Sequence, residues 1–234
     1  MSGSLEQGKL TAINEKNKDF ATKQLSKNIL RYPDEHIVRF LSKIKTEEKV
    51  NLEGLDIGFG SGQHLKLLMD FGYRASGVEF VPEACDRVRQ FYGDSQLFGD
   101  IFIGDFRNTN LPANKFDVVI CWGVVFLRSL EEMQTDLKYI FELLRPGGQL
   151  CVNFRTKENW FYGLGTQLDE DYFLLDERAD VYAGCHYTFV DESVVRNLIT
   201  KAGFELENIE LYNWWKNNMK EKHSWLIVGC KRPN

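Results

Sequence analysis

The chain has 234 residues, 43% of them hydrophobic, which suffices for one sizeable core and is short for two domains. A net charge of -5 excludes a general electrostatic attraction to DNA, RNA or anionic membrane; the one modest basic patch, residues 216–222, reads as a solvated strand connection rather than a nucleic-acid surface. The longest apolar stretch, residues 118–127, is about half a bilayer span, and residues 1–10 carry no apolar signal-peptide core, so no membrane partner is expected.

Cys85, Cys121, Cys151, Cys185 and Cys230 are widely spaced with no C-x-x-C pair, the usage of free thiols in a reducing compartment. A cytoplasmic protein is expected. No internal repeat or low-complexity tract interrupts the chain.

After a polar start, residues 34–45 place Ile37, Val38, Phe40, Leu41 and Ile44 at helical spacing behind Pro33 and Asp34, a start signal. Residues 51–57 form a short strand that runs into a glycine-rich turn, and residues 63–71 restore helical period until Gly72 stops it. The alternation repeats: a strand over 74–79, a helix over 82–91 with Pro82 in its first turn, a strand near 100–104 and another over 116–121. The last of these is continuously apolar, as in strands buried on both faces. A helix over 130–144 ends at the breaker Arg145-Pro146-Gly147-Gly148, and a fifth strand spans 149–154.

Strand and helix alternating over roughly a hundred residues imply right-handed crossovers and a parallel sheet covered on both sides. Residues 156–188 then break the pattern with aromatics, acids and glycines and few long periods, as lids and binding elements do. Helical spacing returns over 191–202, between the cap Asp191 and Gly203. Two closing strands, 204–213 and 224–230, have no helix between them and should pair antiparallel.

The central signal is Asp56-Ile57-Gly58-Phe59-Gly60-Ser61-Gly62, between a strand and a helix. Glycines there let the backbone turn sharply and admit a ligand to main-chain atoms, at the strand edge where doubly wound sheets bind ligands. A tight turn alone would also favour glycine, so spacing has to discriminate. Dinucleotide turns run G-x-G-x-x-G; here they run G-x-G-x-G, with Gln63 at the place of the third glycine. Asp56 would repel a pyrophosphate and attract a cationic amino-acid group, so a nicotinamide cofactor fits poorly.

Glu79 ends the second strand about twenty residues on, where a carboxylate accepts hydrogen bonds from ribose hydroxyls. Asp105, in Gly104-Asp105-Phe106, is placed to accept from an adenine amino group while Phe106 packs the ring. For Glu79 the alternative is a solvated strand-end acid, and the glycine turn before it favours ribose.

These residues, with Phe116-Asp117-Val118-Val119-Ile120 and Leu144-Arg145-Pro146-Gly147-Gly148, resemble the successive motifs of class I S-adenosylmethionine-dependent methyltransferases over about residues 50–155. The resemblance implies an α/β, doubly wound, Rossmann-like sheet of seven strands, mostly parallel with the last antiparallel and helices on both faces. It assigns Asp56 and the glycine turn to the methionine end of S-adenosylmethionine, Glu79 to ribose and Asp105 to adenine, and sets Trp122 and Gly123 beside the methyl donor. The candidate cofactor contacts are thus Asp56, Gly58, Phe59, Gly60, Gly62, His64, Glu79, Phe80, Asp105, Phe106, Cys121 and Trp122, with S-adenosylhomocysteine as product.

Departures from the family narrow the acceptor. The N/D-P-P-Y/F signature of many enzymes that methylate amino groups of nucleic acids or proteins is absent, replaced by Cys121-Trp122-Gly123-Val124. The His that many small-molecule members carry after the fourth strand is absent too. His36 and His223 read as structural, and His64 borders the cofactor. His186 is the candidate substrate-side base, against a partly buried histidine of the lid. No His/Cys/Asp cluster has metal spacing.

Trp160, Phe161, Tyr162, Tyr172, Phe173, Tyr182, Tyr187, Trp214 and Trp215 can frame a small acceptor or simply pack. Asp169, Glu170, Asp171, Asp176 and Glu177 make that face negative, which disfavours nucleic acid and permits a cationic or neutral substrate. The expected organisation is a single domain: a helical cap (1–50), a cofactor-binding core (51–155), a substrate lid (156–190) and a closing helix and strand pair (191–234). The expected reaction is methyl transfer to oxygen or nitrogen of a small molecule. A macromolecular acceptor and a non-catalytic adenosyl-ligand-binding partner protein are the rivals, and oligomeric state stays open.

Overall fold

The computed structural model describes Thr22, Leu25 and residues 29–44 and 50–234; most of the expected N-terminal cap, and Lys45 at the expected end of its helix, lie outside the described residues. The first described helix, α1 (Glu35–Lys43), starts where Asp34 accepts a hydrogen bond from the His36 N–H, so the acid caps the helix as its position suggested. There follow β1 (Glu53–Ile57), α2 (Gln63–Asp70), β2 (Arg74–Glu79), α3 (Pro82–Tyr92), β3 (Phe98–Ile103), β4 (Phe116–Cys121) and α4 (Leu130–Leu143). β5 (Leu144–Arg155) is followed by three short strands, β6 (Thr166–Asp169), β7 (Tyr172–Leu174) and β8 (His186–Thr188). The chain closes with α5 (Glu192–Lys201), β9 (Glu205–Lys216) and β10 (Glu221–Lys231).

Seven strands form one sheet in the order β3-β2-β1-β4-β5-β10-β9. β1 pairs parallel with β2 on one side and with β4 on the other, and β10 runs antiparallel to both β5 and β9. This is the doubly wound, mostly parallel arrangement expected, with the last strand reversed. The order turns over between β1 and β4, which opens a crevice at their carboxyl ends.

Both faces of the sheet are buried. Along β4, Val118 and Ile120 join a core with Leu65, Leu68 and Val88, whereas Val119 and Cys121 join another with Leu137, Ile140 and Val195. Continuous apolarity in β4 follows from this double burial.

Two expectations need correction. The breaker at 145–148 makes no separate loop, because β5 begins at Leu144 directly after α4. Gly147 takes φ 76°, the β4–β5 register shifts between Phe116 and Val118, and Gly147 N–H donates to the Arg232 carbonyl at 2.9 Å, so the reversal is absorbed within the strand. Residues 156–190 are also more regular than their composition suggests: β6, β7 and β8 form a small antiparallel sheet, with strands too short to display a period. No helix among the described residues is long and apolar enough to cross a membrane.

Candidate functional site

The glycine turn leaves β1 in left-handed backbone that side chains rarely adopt. At Gly58 (φ 71°) a Cβ would stand 2.6 Å from Val124 Cγ2, and at Gly62 (φ 83°) one would stand 2.5 Å from Val88 Cγ1. Conformation and close packing both require glycine at these two positions.

Glu79, at the end of β2, is 4% exposed. Its Oε2 accepts from the Gly60 N–H at 3.1 Å, and its Oε1 accepts from Phe80 N–H at 2.8 Å and Val81 N–H at 3.1 Å. One carboxylate therefore ties the glycine turn to the start of α3. Burial raises its pKa above the usual range, and the three backbone N–H groups counter this in part. A carboxylate has about four lone-pair sites, so ribose hydroxyls can bind it in addition.

Asp56 is 1% exposed and its Oδ2 has no hydrogen-bond partner. Burial pushes its carboxyl well up, and the nearby charge of Glu79 adds to the effect. His64 sits beside it, with Nδ1 3.9 Å from Asp56 Oδ2 and Nε2 accepting from the Asp34 N–H at 3.3 Å. Burial lowers the His64 pKa to about 4, against the opposing charge of Asp34, so the ring is neutral near pH 7. Because Nε2 accepts, the network assigns the proton to Nδ1, facing Asp56. A buried carboxylate oxygen without a partner, beside an anionic Glu79, suits a cationic ammonium group.

Asp105 and Phe106 have other partners than those expected. Asp105 caps the turn Phe106–Asn108 through Arg107 N–H (3.1 Å), and its Oδ2 lies 2.8 Å from Arg128 Nη2. Burial alone would raise its pKa, but Arg128 and Arg107 outweigh it and hold the carboxyl below the usual range. Both arginines also reach fully buried Asp136, at 3.1 and 3.4 Å. Phe106 packs in the core beside Tyr139. The carboxylate expected to face adenine stands in a five-residue ion network with Arg107, Arg128, Glu132 and Asp136. Asp136 on the apolar stripe of α4, between Met133 and Leu137, was the signal of that network in the sequence.

Phe59 belongs to the core, where it packs on Gly77; a Cβ on Gly77 would lie 2.5 Å from its ring. Phe80 is half-buried after Glu79. Cys121 is fully buried at the end of β4, and Trp122 follows half-buried, its ring 5.7 Å from that of Trp225. Gly123 N–H donates to Asn153 Oδ1 at 2.7 Å, which joins the carboxyl ends of β4 and β5.

His186 is buried on β8 with its ring 5.8 Å from Tyr172. Its neighbour Tyr187 points into an aromatic cluster with Phe126 and Phe161. Successive strand residues face opposite ways, so His186 is turned from that cluster. His36 and His223 are buried as expected of structural histidines, His223 stacked on Trp214 at 4.8 Å. Of the expected lid aromatics, Phe161 and Tyr187 are enclosed, whereas Tyr162 and Trp215 are exposed. Of the acids there, Asp171 pairs with Lys157 and Asp176 with Arg178, so that face is less negative than a count of its acids suggests. No group of His, Cys, Asp or Glu suited to hold a metal occurs among the described residues.

Residues 55–152 match a family model described as a methyltransferase domain. No curated protein matches the sequence. Among solved structures, an S-adenosylmethionine-dependent methyltransferase from Methanosarcina mazei is similar, with TM-score 0.68 and 17% identity over 86% of this chain and 99% of its own. One from Mesorhizobium loti has TM-score 0.65 and 15% identity over 83% and 96%. The 1,6-didemethyltoxoflavin-N1-methyltransferase of Burkholderia thailandensis, with bound 1,6-didemethyltoxoflavin and S-adenosylhomocysteine, has TM-score 0.62 and 14% identity over 100% and 89%. The match over residues 55–152 and the order of the seven-stranded sheet give the chain the fold of methyltransferase domains, with the glycine turn bracketed by Asp56 and Glu79 at the carboxyl ends of β1 and β2.

Proposed function

We propose that the chain is an S-adenosylmethionine-dependent methyltransferase that methylates an oxygen or nitrogen of a small-molecule acceptor, with residues 156–190 acting as the lid over that acceptor. The reading is carried by the wall beside Trp122: the rings of Phe126, Phe161, Tyr187 and Trp225 are packed together rather than open to a macromolecular surface. The Burkholderia relative holds a small molecule and supports the same reading by likeness.

In this reading the unpartnered Asp56 oxygen takes the cofactor's ammonium group, Glu79 takes the ribose hydroxyls, and Trp122 borders the methyl group. S-adenosylmethionine, held by these residues, would supply a methyl on a sulfonium whose positive charge falls as the carbon–sulfur bond breaks. The acceptor's lone pair would form the bond to the methyl carbon as the carbon–sulfur bond breaks toward sulfur, and the acceptor's proton would pass to bulk water when the product leaves. The protein's contribution is alignment and exclusion of solvent. His186 faces away from the cluster and is not the base in this reading.

Calorimetric titration with S-adenosylmethionine, S-adenosylhomocysteine and NAD, followed by a screen of small acceptors with a methyl-labelled donor, tests the reading. Micromolar binding of the adenosyl ligands and label transfer to a small molecule are expected. Label transfer to protein or RNA, with none to small molecules, would overturn the acceptor assignment.

A further inference from the structure

At the carboxyl end of β5 a buried cation stands without a counter-charge among the described residues. Arg155 is 5% exposed, and among the described residues no carboxylate forms an ion pair with it. Its guanidinium carbon lies 4.5 Å from the ring centre of Tyr187, 4.7 Å from Phe126, 5.0 Å from Phe161 and 5.2 Å from Trp225. Trp225 is its cross-strand partner on β10, Phe126 comes from the turn after β4, and Phe161 and Tyr187 come from residues 156–190. Rings around a cation offset part of its desolvation. They leave Nε and Nη1 buried and without a hydrogen-bond acceptor. Uncompensated buried charge is costly enough that proteins normally pair it.

The surrounding unbonded groups are mostly donors, His223 Nε2 being a ring nitrogen that can also accept. Trp225 Nε1, Trp160 Nε1 and Asn153 Nδ2 are also buried and without partners, and all are donors. Asn153 stands two residues before Arg155, hence on the same face of β5. Its carbonyl oxygen already holds the Gly123 N–H beside Trp122. A wall of unbonded donors around one cation calls for a ligand rich in acceptor oxygens. Burial lowers the pKa of His223, the nearby histidine, to about 4, so it adds no second charge at neutral pH. One positive charge matches a monoanion, and four rings match an apolar body.

We infer that Arg155 receives the carboxylate of the methyl acceptor, and that this acceptor is an aromatic or similarly apolar carboxylic acid. The inference rests on the small-acceptor reading above. It places the acid group at Arg155 and leaves the apolar body lying toward Trp122, one ring away through Trp225. Parting Phe161 and Tyr187 from β5 opens the position, which gives residues 156–190 a defined task as the lid.

The full-length protein is titrated with benzoate and phenylacetate, their neutral amides, and inorganic phosphate, following tryptophan emission, since Trp160 and Trp225 lie in the cluster. S-adenosylhomocysteine is titrated separately. Saturable binding of an acid roughly tenfold or more tighter than its amide is expected, the scale of one charge-assisted hydrogen bond. Arg155→Met should lose that preference while keeping its affinity for S-adenosylhomocysteine. Equal binding of acid and amide, no binding of either acid, tighter binding of phosphate, or an unchanged preference in Arg155→Met overturns the inference. The acid–amide comparison needs no variant and decides even where Arg155→Met fails to fold. Failure of S-adenosylhomocysteine to bind would instead strike the methyltransferase reading itself.

Discussion

Asp56 and Glu79 are two buried acids, each made harder to ionise by burial, and the charge of Glu79 adds to the cost at Asp56. A folded-state pKa above the unfolded one means that the folded protein holds its proton more tightly. Stability from this source therefore falls as pH rises from the usual carboxylate range through the folded pKa of Asp56. Ammonium binding favours the ionised form, so it releases the proton. Affinity for S-adenosylhomocysteine should consequently increase as pH rises through the folded pKa of Asp56, and Asp56→Asn should weaken binding and flatten the profile. Calorimetry in two buffers of different ionisation enthalpy measures the proton released; a pH-independent affinity would remove Asp56 from the ammonium site. Glu79→Ala should both lower stability, by about 1–3 kcal/mol for each buried N–H it strands, and raise the cofactor Kd at least roughly tenfold. Urea unfolding beside the titration separates the two effects. His186→Ala should retain turnover with any acceptor found, and a loss exceeding roughly a hundredfold would restore the histidine as a base.

Local chemistry at the elements explains where the chain turns. Ser129 and Glu132 form a reciprocal capping box at the start of α4, and Pro82 begins α3 with its fixed φ. Asp191 precedes α5 but does not cap it with its side chain; its carboxylate reaches Lys157 at 3.1 Å instead. The glycine turn is the most constrained connection. Gly62→Ala should cost about 1–2 kcal/mol for its left-handed backbone and about 1–3 more for overpacking against Val88. Chemical denaturation would measure it, and a loss under about half a kcal/mol would show that α3 yields freely.

Across the whole molecule, residues 156–190 share a core with the main sheet: Phe161, Phe173, Tyr187 and Phe189 join Leu55, Val119 and Leu137 in one cluster. Lys157 reinforces this by pairing with both Asp171 and Asp191. Phe161→Ala, at a fully buried position, should lower global stability by about 3–5 kcal/mol in a single cooperative transition. Two separate transitions would show instead that the small sheet folds on its own. Motion of this segment over Arg155 must therefore be a local opening of a shared core rather than the swing of a detached flap.

Local residues alone determined the alternating elements, the strand-to-helix glycine turn and the acids at the ends of β1 and β2, because each is a short-range matter of period, φ or spacing. The strand order was legible only through the resemblance those motifs carry, and β6, β7 and β8 were too short to reveal a period at all. Tertiary structure decided which polar groups meet. Asp105 finds Arg107 and Arg128 rather than standing free, His186 turns away from the ring cluster, and Arg155 comes to rest among four rings drawn from β10, the turn after β4 and residues 156–190. Such partnerships join residues up to about seventy positions apart, as Arg155 and Trp225 are. No local period encodes them, since they follow from burial in a common core.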